Sequence, residues 1–427
     1  MLLVLVIFLV LLLMGMPVAF TIGISGLVFF LTTPDIPLSI AVQRILVPSQ
    51  SFTMLAIPLF IFAGNLMNST GITKRLIRLA DVLTGHMYGN LAQVSVVLST
   101  LMGGVSGSAV ADAAMQSRIL GPDMIKKGYN RAYGASINGI SSLITATIPP
   151  SMGLIIYGAV GEVSIGRLFA GGILPGFLMM IALMIAVSYT ARKKQYLPER
   201  TTYPNIKEVL VALKDGIWAL IFPIILIVGI RYGIFTPSES GAFAAVYAIF
   251  VGVVIYRDLT WSSFIETVRS SAIDIGAIML IISVSGIFGY GIVYDRVAQS
   301  LSELVIGISE NPYILFGIII LVLAISGMFV ETTVIALLLT PIFVPIVTSV
   351  GIDPVHFGLV MMTVTTLGIM TPPLGVSLFT VSQIMGTSPQ ETVKESVPFY
   401  IAVLAVIAVM VFLPDLILFL PNLIFGE

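Results

Sequence analysis

A chain of 427 residues of which 58% are hydrophobic and only 10% charged cannot cover a water-facing surface, since soluble domains carry about 25% charged residues. A net charge of −1 gives no global attraction to nucleic acid; the lack of cysteine excludes thiol chemistry; and two distant histidines, His86 and His356, with no HExxH pattern make no catalytic zinc site. No lysine is followed by Ser or Thr, so the Walker A pair is missing and any uphill transport must draw on an ion gradient or a partner.

The first apolar run, Met1 to Leu13, has no basic flank, and the first basic residue is Arg44. It is expected to stay as a membrane helix and not to be a cleaved signal. Runs over 1–14 and 17–31 read as two short spans, with one helix over 1–31 as the competing reading. Pro34 to Ser51 is too polar to span and is expected as an amphipathic helix at the interface. Further runs cover 52–68, 91–125, 132–160 and 168–190. A polar linker over 191–216 follows, opening on Arg192, Lys193 and Lys194. A second series covers 217–235, 238–256, 272–294, 312–350, 355–386 and 398–420. Before 272 lies another polar stretch, 257–271, where Trp261, Phe264, Ile265 and Val268 share one helical face.

The two series resemble each other. Pro149-Pro150 and Pro372-Pro373 lie 223 positions apart, and the same offset pairs Pro122 with Pro345, Gly128 with Gly351 and Gly104 with Gly327. Gly and Pro fix backbone geometry, so matches at these residues point to an internal repeat. The first repeat would be 1–190, with a scaffold over 1–68 and a hairpin plus broken helix over 91–160. The second would be 217–427, with a scaffold over 217–294 and a hairpin plus broken helix over 312–386.

Charge gives an orientation. With loops near 69–90, 118–131, 191–216, 257–271 and 387–397 on the cytoplasmic side, every Lys and Arg except Arg44, Arg167, Arg231 and Arg296 lies inside. This requires 91–125 and 312–350 to be re-entrant hairpins opening toward opposite faces. The fold expected is therefore an all-α polytopic membrane protein of two inverted repeats.

The chemistry is carried by the stretch Leu101-Met-Gly-Gly-Val-Ser-Gly-Ser-Ala-Val-Ala-Asp112. Glycine inside a helix costs about 1 kcal/mol against Ala, so three glycines and two serines at membrane depth signal a broken helix lining a cavity. Freed carbonyls and hydroxyls, together with the negative end of a half-helix, suit Na⁺. Close helix packing through Gly103 and Gly107 is the competing reading. Asp112, an intramembrane carboxylate, is a site by default, for a cation or for substrate hydroxyls. Its counterpart by offset is Ile335, whereas Ser108 maps to Glu331, so the two sites should differ. The repeat-mate of the first tip is Ser326-Gly-Met-Phe-Val-Glu-Thr-Thr333. Tandem prolines should unwind both long segments and free carbonyls around 146–148 and 369–371. Candidate cation ligands are Gly103, Ser106, Asp112, Thr145 and Thr147 in the first half, and Ser326, Thr366 and Thr371 in the second. Ser108, Ser151 and Glu331 are the candidate substrate contacts. No basic residue lies near either tip, so a substrate carboxylate would meet hydroxyls and half-helix N-termini.

At GGVSGSAVADA, the later TPP and the two-half layout, the chain resembles the large membrane subunit of tripartite ATP-independent periplasmic (TRAP) transporters, and more narrowly the sialic acid (N-acetylneuraminate) type. The resemblance implies a Na⁺-driven elevator in the bacterial inner membrane, with Ser106 and Asp112 as ion ligands at the first tip and, by the repeat, Gly327 and Thr332 at the second. It also implies a small four-helix membrane subunit and a periplasmic binding protein that delivers the organic acid. A stand-alone Na⁺-coupled dicarboxylate or anion carrier stays open. A channel fits the inverted hairpins less well, and a passive scaffold would leave Asp112 and Glu331 unexplained.

Overall fold

The structure, a computed structural model, describes residues 1–297, 299, 300 and 311–426, and among these it is helical with no strand. The N-terminal run is two helices, α1 (Leu2–Leu13) and α2 (Val18–Thr32). Gly15 at φ +80° and Pro17 separate them, which decides against one long helix. The scaffold of the first half continues as α3 (Leu38–Gln50), a short 3-10 turn, and α4 (Ala56–Ser69). The loop expected over 69–90 contains a helix, α5 (Ile72–Thr84). Ile72, Leu76 and Leu79 are buried on one face, with Lys74 and Arg78 exposed on the other, a period that the surrounding charge concealed.

The hairpin over 91–125 forms as α6 (Asn90–Gly103) and α7 (Ala109–Ile119), followed by the short α8 (Gly121–Lys126). The long segment after it is broken into α9 (Arg131–Thr147) and α10 (Met152–Val160), bent by 43°. Then come α11 (Ile165–Lys193) and α12 (Ile206–Arg231). The polar linker is therefore partly helical, because Asn205 caps Lys207 N and no Gly or Pro interrupts until Gly216.

In the second half, α13 (Pro237–Phe250) starts at a capping box of Thr236 and Glu239, and ends in a π-turn over 251–255. The stretch 257–271 is not a separate interfacial helix. Its residues from Trp261 on form the first third of the 34-residue α14 (Trp261–Tyr294). Neither Gly nor Pro occurs between Trp261 and Gly276 to stop it. The second hairpin is α15 (Pro312–Phe329) and α16 (Thr332–Ser349), and the second broken segment is α17 (Pro354–Gly368) and α18 (Val376–Met385). The last expected run, 398–420, starts earlier, at a Ser388 cap, and breaks before Pro414, giving α19 (Pro389–Phe412) and α20 (Pro414–Phe425). Six helices of the described residues are long and apolar enough to cross a membrane.

The 223-residue offset recurs in the backbone. α3 and α14, α7 and α16, and α9 and α17 each begin 223 residues apart. Gly128 and Gly351 have φ of +81° and +82°, and both Pro-Pro bonds are cis. Asn130 and Asp353, also 223 apart, cap α9 and α17 through the same side-chain oxygen contact.

Helices α9, α10, α11, α17 and α19 meet around the fully buried Tyr133, Tyr157, Phe169, Phe357 and Phe399. Tyr157 donates to Pro354 O at 2.6 Å and joins the two broken segments. The loops assigned to one side are tied to one another by ion pairs: Arg75–Asp258, Arg78–Asp215, Lys127–Glu199 and Lys194–Glu395. Asn90 and Lys127, at the two ends of the first hairpin, both reach Glu199. Tyr313 and Gly351, at the two ends of the second, border a different cavity together with Asp353 and Asp415. Asp353 in turn faces Arg167.

Candidate functional site

The first hairpin turns over Gly104–Ser108. Gly107 holds φ +63°, a conformation costly for residues with a Cβ, and any side chain there would run into the Pro150 carbonyl. Gly103 lies so close to Ile148 that an added Cβ would stand 2.6 Å from its Cβ. The glycines thus seat the tip on the break of α9–α10. Val105 and Ser106 carbonyls lie against Gly64 of α4. The second hairpin turns more tightly, over Val330 and Glu331. Gly327 packs on Thr365 and Gly368 of α17, and Gly375 N donates to Met328 O at 3.1 Å. Each tip therefore lies on its own Pro-broken helix.

A cavity of about 400 Å³ opens between the tips and the scaffold. Three helix N-termini line it: Ser108–Ala111 of α7, Ser151–Gly153 at α10 and Glu331–Thr333 at α16. Ser108 and Ser151 are the N-caps, accepting from Ala111 N and Leu154 N at 3.4 Å each. Glu331 occupies the N-cap position of α16 and accepts from Thr333 Oγ1 at 2.8 Å. Helix N-termini carry positive partial charge, so the cavity can receive an anion although no Lys, Arg or His lines it. The scaffold wall was not singled out from the sequence. It consists of Ile61, Gly64, Asn65 and Asn68 of α4 and Asp274, Ala277 and Ile278 of α14.

The expected site residues separate into two groups. Ser106, Ser108, Ser151, Glu331, Thr332 and Thr366 line the cavity. Gly103, Asp112, Thr145, Thr147, Ser326, Gly327 and Thr371 do not. Asp112 is 1% exposed and does not reach the cavity surface. Its Oδ2 accepts from Thr145 Oγ1 at 2.7 Å, Gln116 Nε2 at 2.8 Å and Ser99 Oγ at 2.9 Å. Its buried Oδ1 has no protein partner. Behind it, Ser95 contacts Gln116, Asn138 and Ser141. Five members of this cluster, Ser95, Ser99, Gln116, Asn138 and Ser141, were missed. The signal was present as polar residues three and four apart on facing helices.

The remaining hydroxyls are partly committed. Thr147, Ser326 and Thr371 donate to Leu143 O, Val322 O and Leu367 O of their own helices, leaving only lone pairs. Thr366 donates to Met362 O, and Thr332 donates to Thr366 Oγ1 at 3.5 Å. The carbonyls expected to be free at the second break are engaged: Ile369 O accepts from Ser377 N at 3.0 Å, and Met370 O accepts from Tyr400 OH. The following segment folds back and supplies donors that the prolines alone do not reveal.

The profile of the tripartite ATP-independent periplasmic transporter, DctM component, matches residues 5–416. The chain belongs to this family. The TRAP large permease described here is thus a multi-pass membrane transport subunit and not an enzyme. It is 36% identical over 415 residues to the sialic acid TRAP transporter large permease SiaM of Vibrio cholerae, covering 96% of each chain. It is 34% identical to the C4-dicarboxylate TRAP transporter large permease DctM of Pseudomonas aeruginosa, covering 94% of each. The named substrates of these relatives differ. In fold the permease resembles the YdaH transporter of Alcanivorax borkumensis, at TM-score 0.61 and 10% identity, over 83% of this chain and 84% of the other.

Proposed function

We propose that this permease performs Na⁺-coupled transport of an organic acid, sialic acid (N-acetylneuraminate) in the first instance, across the bacterial inner membrane. A small membrane subunit would brace it, and a periplasmic binding protein would deliver the acid. The observation that carries this reading is the convergence of three half-helix N-termini, at Ser108, Ser151 and Glu331, on one cavity without a basic side chain. Those at Ser108 and Ser151 would hold the substrate carboxylate.

The C-terminal ends of the partner half-helices α6, α9, α15 and α17 lie at the tips and breaks, carry negative partial charge and suit cations. Gly103, Ser106, Thr145, Thr147 and Asp112 would serve one Na⁺ region; Ser326, Gly327, Thr332, Thr366 and Thr371 would serve the second. All offer oxygen, the donor that hard cations prefer. The recurrent offset supports two inverted repeats, over 1–190 and 217–427, and the tips with their broken helices would move as an elevator against α4 and α14.

The test is uptake of labelled N-acetylneuraminate into proteoliposomes holding the permease and its small subunit, with an inward Na⁺ gradient. Uptake that needs both Na⁺ and the binding protein supports the tripartite reading. Uptake with Na⁺ alone favours a stand-alone carrier. Absence of uptake under every condition overturns the substrate assignment.

A further inference from the structure

Asp274 stands in the middle of α14, thirteen residues after its first, and lines the cavity from the scaffold side. Asn65 Nδ2 holds one of its oxygens at 3.0 Å while also donating to Ser271 Oγ at 3.1 Å. No Lys or Arg among the described residues forms an ion pair with it, nor with Glu331 on the opposite wall. A carboxylate at this depth without a counter-charge is costly. The fold nevertheless keeps it fixed by Asn65 and facing the cavity, with more than a third of its surface exposed.

Three N-termini converge on the cavity, one of them capped by Glu331, and Asp274 faces them from the scaffold. The N-termini at Ser108 and Ser151 can accept one substrate carboxylate. Ionised, the two acidic side chains only accept hydrogen bonds, so they favour hydroxyl or amide N–H donors and repel a second negative charge. Resting on the reading above, we infer that Asp274 is a specificity-determining residue. With Glu331 it selects acids that carry one carboxylate on a body rich in hydroxyl or amide donors, and it rejects compact dicarboxylates.

The chain has no cysteine, so one placed at the exposed, cavity-lining Asn68 gives a clean reporter. The permease with its small subunit would be purified as Asn68→Cys and labelled with a thiol reagent in Na⁺ buffer. N-acetylneuraminate and succinate would be titrated as protecting ligands. This assay needs neither a gradient nor the binding protein, so the membrane subunit's own selectivity is read. The expected result is protection by N-acetylneuraminate at concentrations at least about tenfold below those of succinate. Adding Asp274→Asn should bring that ratio to near parity. A ratio that Asp274→Asn leaves unchanged overturns the inference, as does a changed Na⁺ requirement with an unchanged ratio, which would place the carboxylate in ion binding. Protection by neither acid overturns the organic-acid reading and the inference with it. Unliganded labelling at the parent rate shows that the variant is folded. Should Asp274→Asn not yield folded protein, Asp274→Ser removes the same charge and is read in the same way.

Discussion

Asp112 offers three donors one oxygen and leaves the other without a protein partner inside a sealed cluster. Asp112→Asn can keep the accepting oxygen where it is and place the amide at the open position. The substitution therefore separates charge from hydrogen bonding. Expression and fold should persist, while the thermal stabilisation by Na⁺ over K⁺ expected of the parent should disappear. An undiminished Na⁺ effect in a calorimetric scan would remove Asp112 from the ion site. Gly107 calls for a different substitution. Alanine there meets a backbone cost of about 1–2 kcal/mol and forces a methyl against Pro150, where overpacking adds about 1–3 kcal/mol. A thermal midpoint lowered by several degrees, with uptake reduced at least about tenfold, is the expected outcome. The Gly/Ser run and Asp112 were readable at this scale because such residues are rare in lipid. The partners of Asp112 were not, because isolated serines in a helix also serve ordinary packing.

Each hairpin and its broken helix form a pair held by glycine contacts, Gly103 and Gly107 on one side and Gly327 with Gly368 on the other. Gly368→Ala should push the second tip off α17. The expected result is a loss of about 1–3 kcal/mol together with a strong fall in uptake. Near-normal uptake would show that the tip does not need this seat. The linker is a second paired element. Lys127 beside Glu199 holds its carboxyl below the usual range. The interaction therefore contributes above the unfolded value near 4.5 and fades as pH falls through the lowered one. Being partly exposed, it is worth about 0–1 kcal/mol. Glu199→Gln should thus lower the melting temperature slightly at neutral pH and not at all in strong acid. Helix breaks at tandem prolines were legible in the sequence. The continuity of α14 was not, since polarity argues where a helix leaves the bilayer but only Gly or Pro argues that it stops.

Across the whole molecule, the charge pattern and the contacts agree. The loops that hold nearly all of the Lys and Arg are joined by ion pairs at one end, and Arg167 meets Asp353 and Asn422 elsewhere. Single cysteines at the exposed Tyr203 and Tyr232 should therefore react with an impermeant reagent from opposite sides of the membrane, with position 203 inside. Labelling of both from one side would refute the orientation. The membrane class, the hairpins and the offset could be read from one sequence because they rest on composition and on backbone-fixing residues. The scaffold wall of the cavity could not, because Asn65 and Asp274 are 209 positions apart and only packing unites them. That wall matters for voltage as well as for recognition. Asp112 and Glu331 lie in the proposed moving body and Asp274 in the frame, all without a basic counterpart. Ionised and empty, the moving body would carry two negative charges through a field worth about 2.3 kcal/mol per charge per 100 mV. An inside-negative potential would draw it outward again after unloading, so the resting cell's electrical gradient would help reset the carrier.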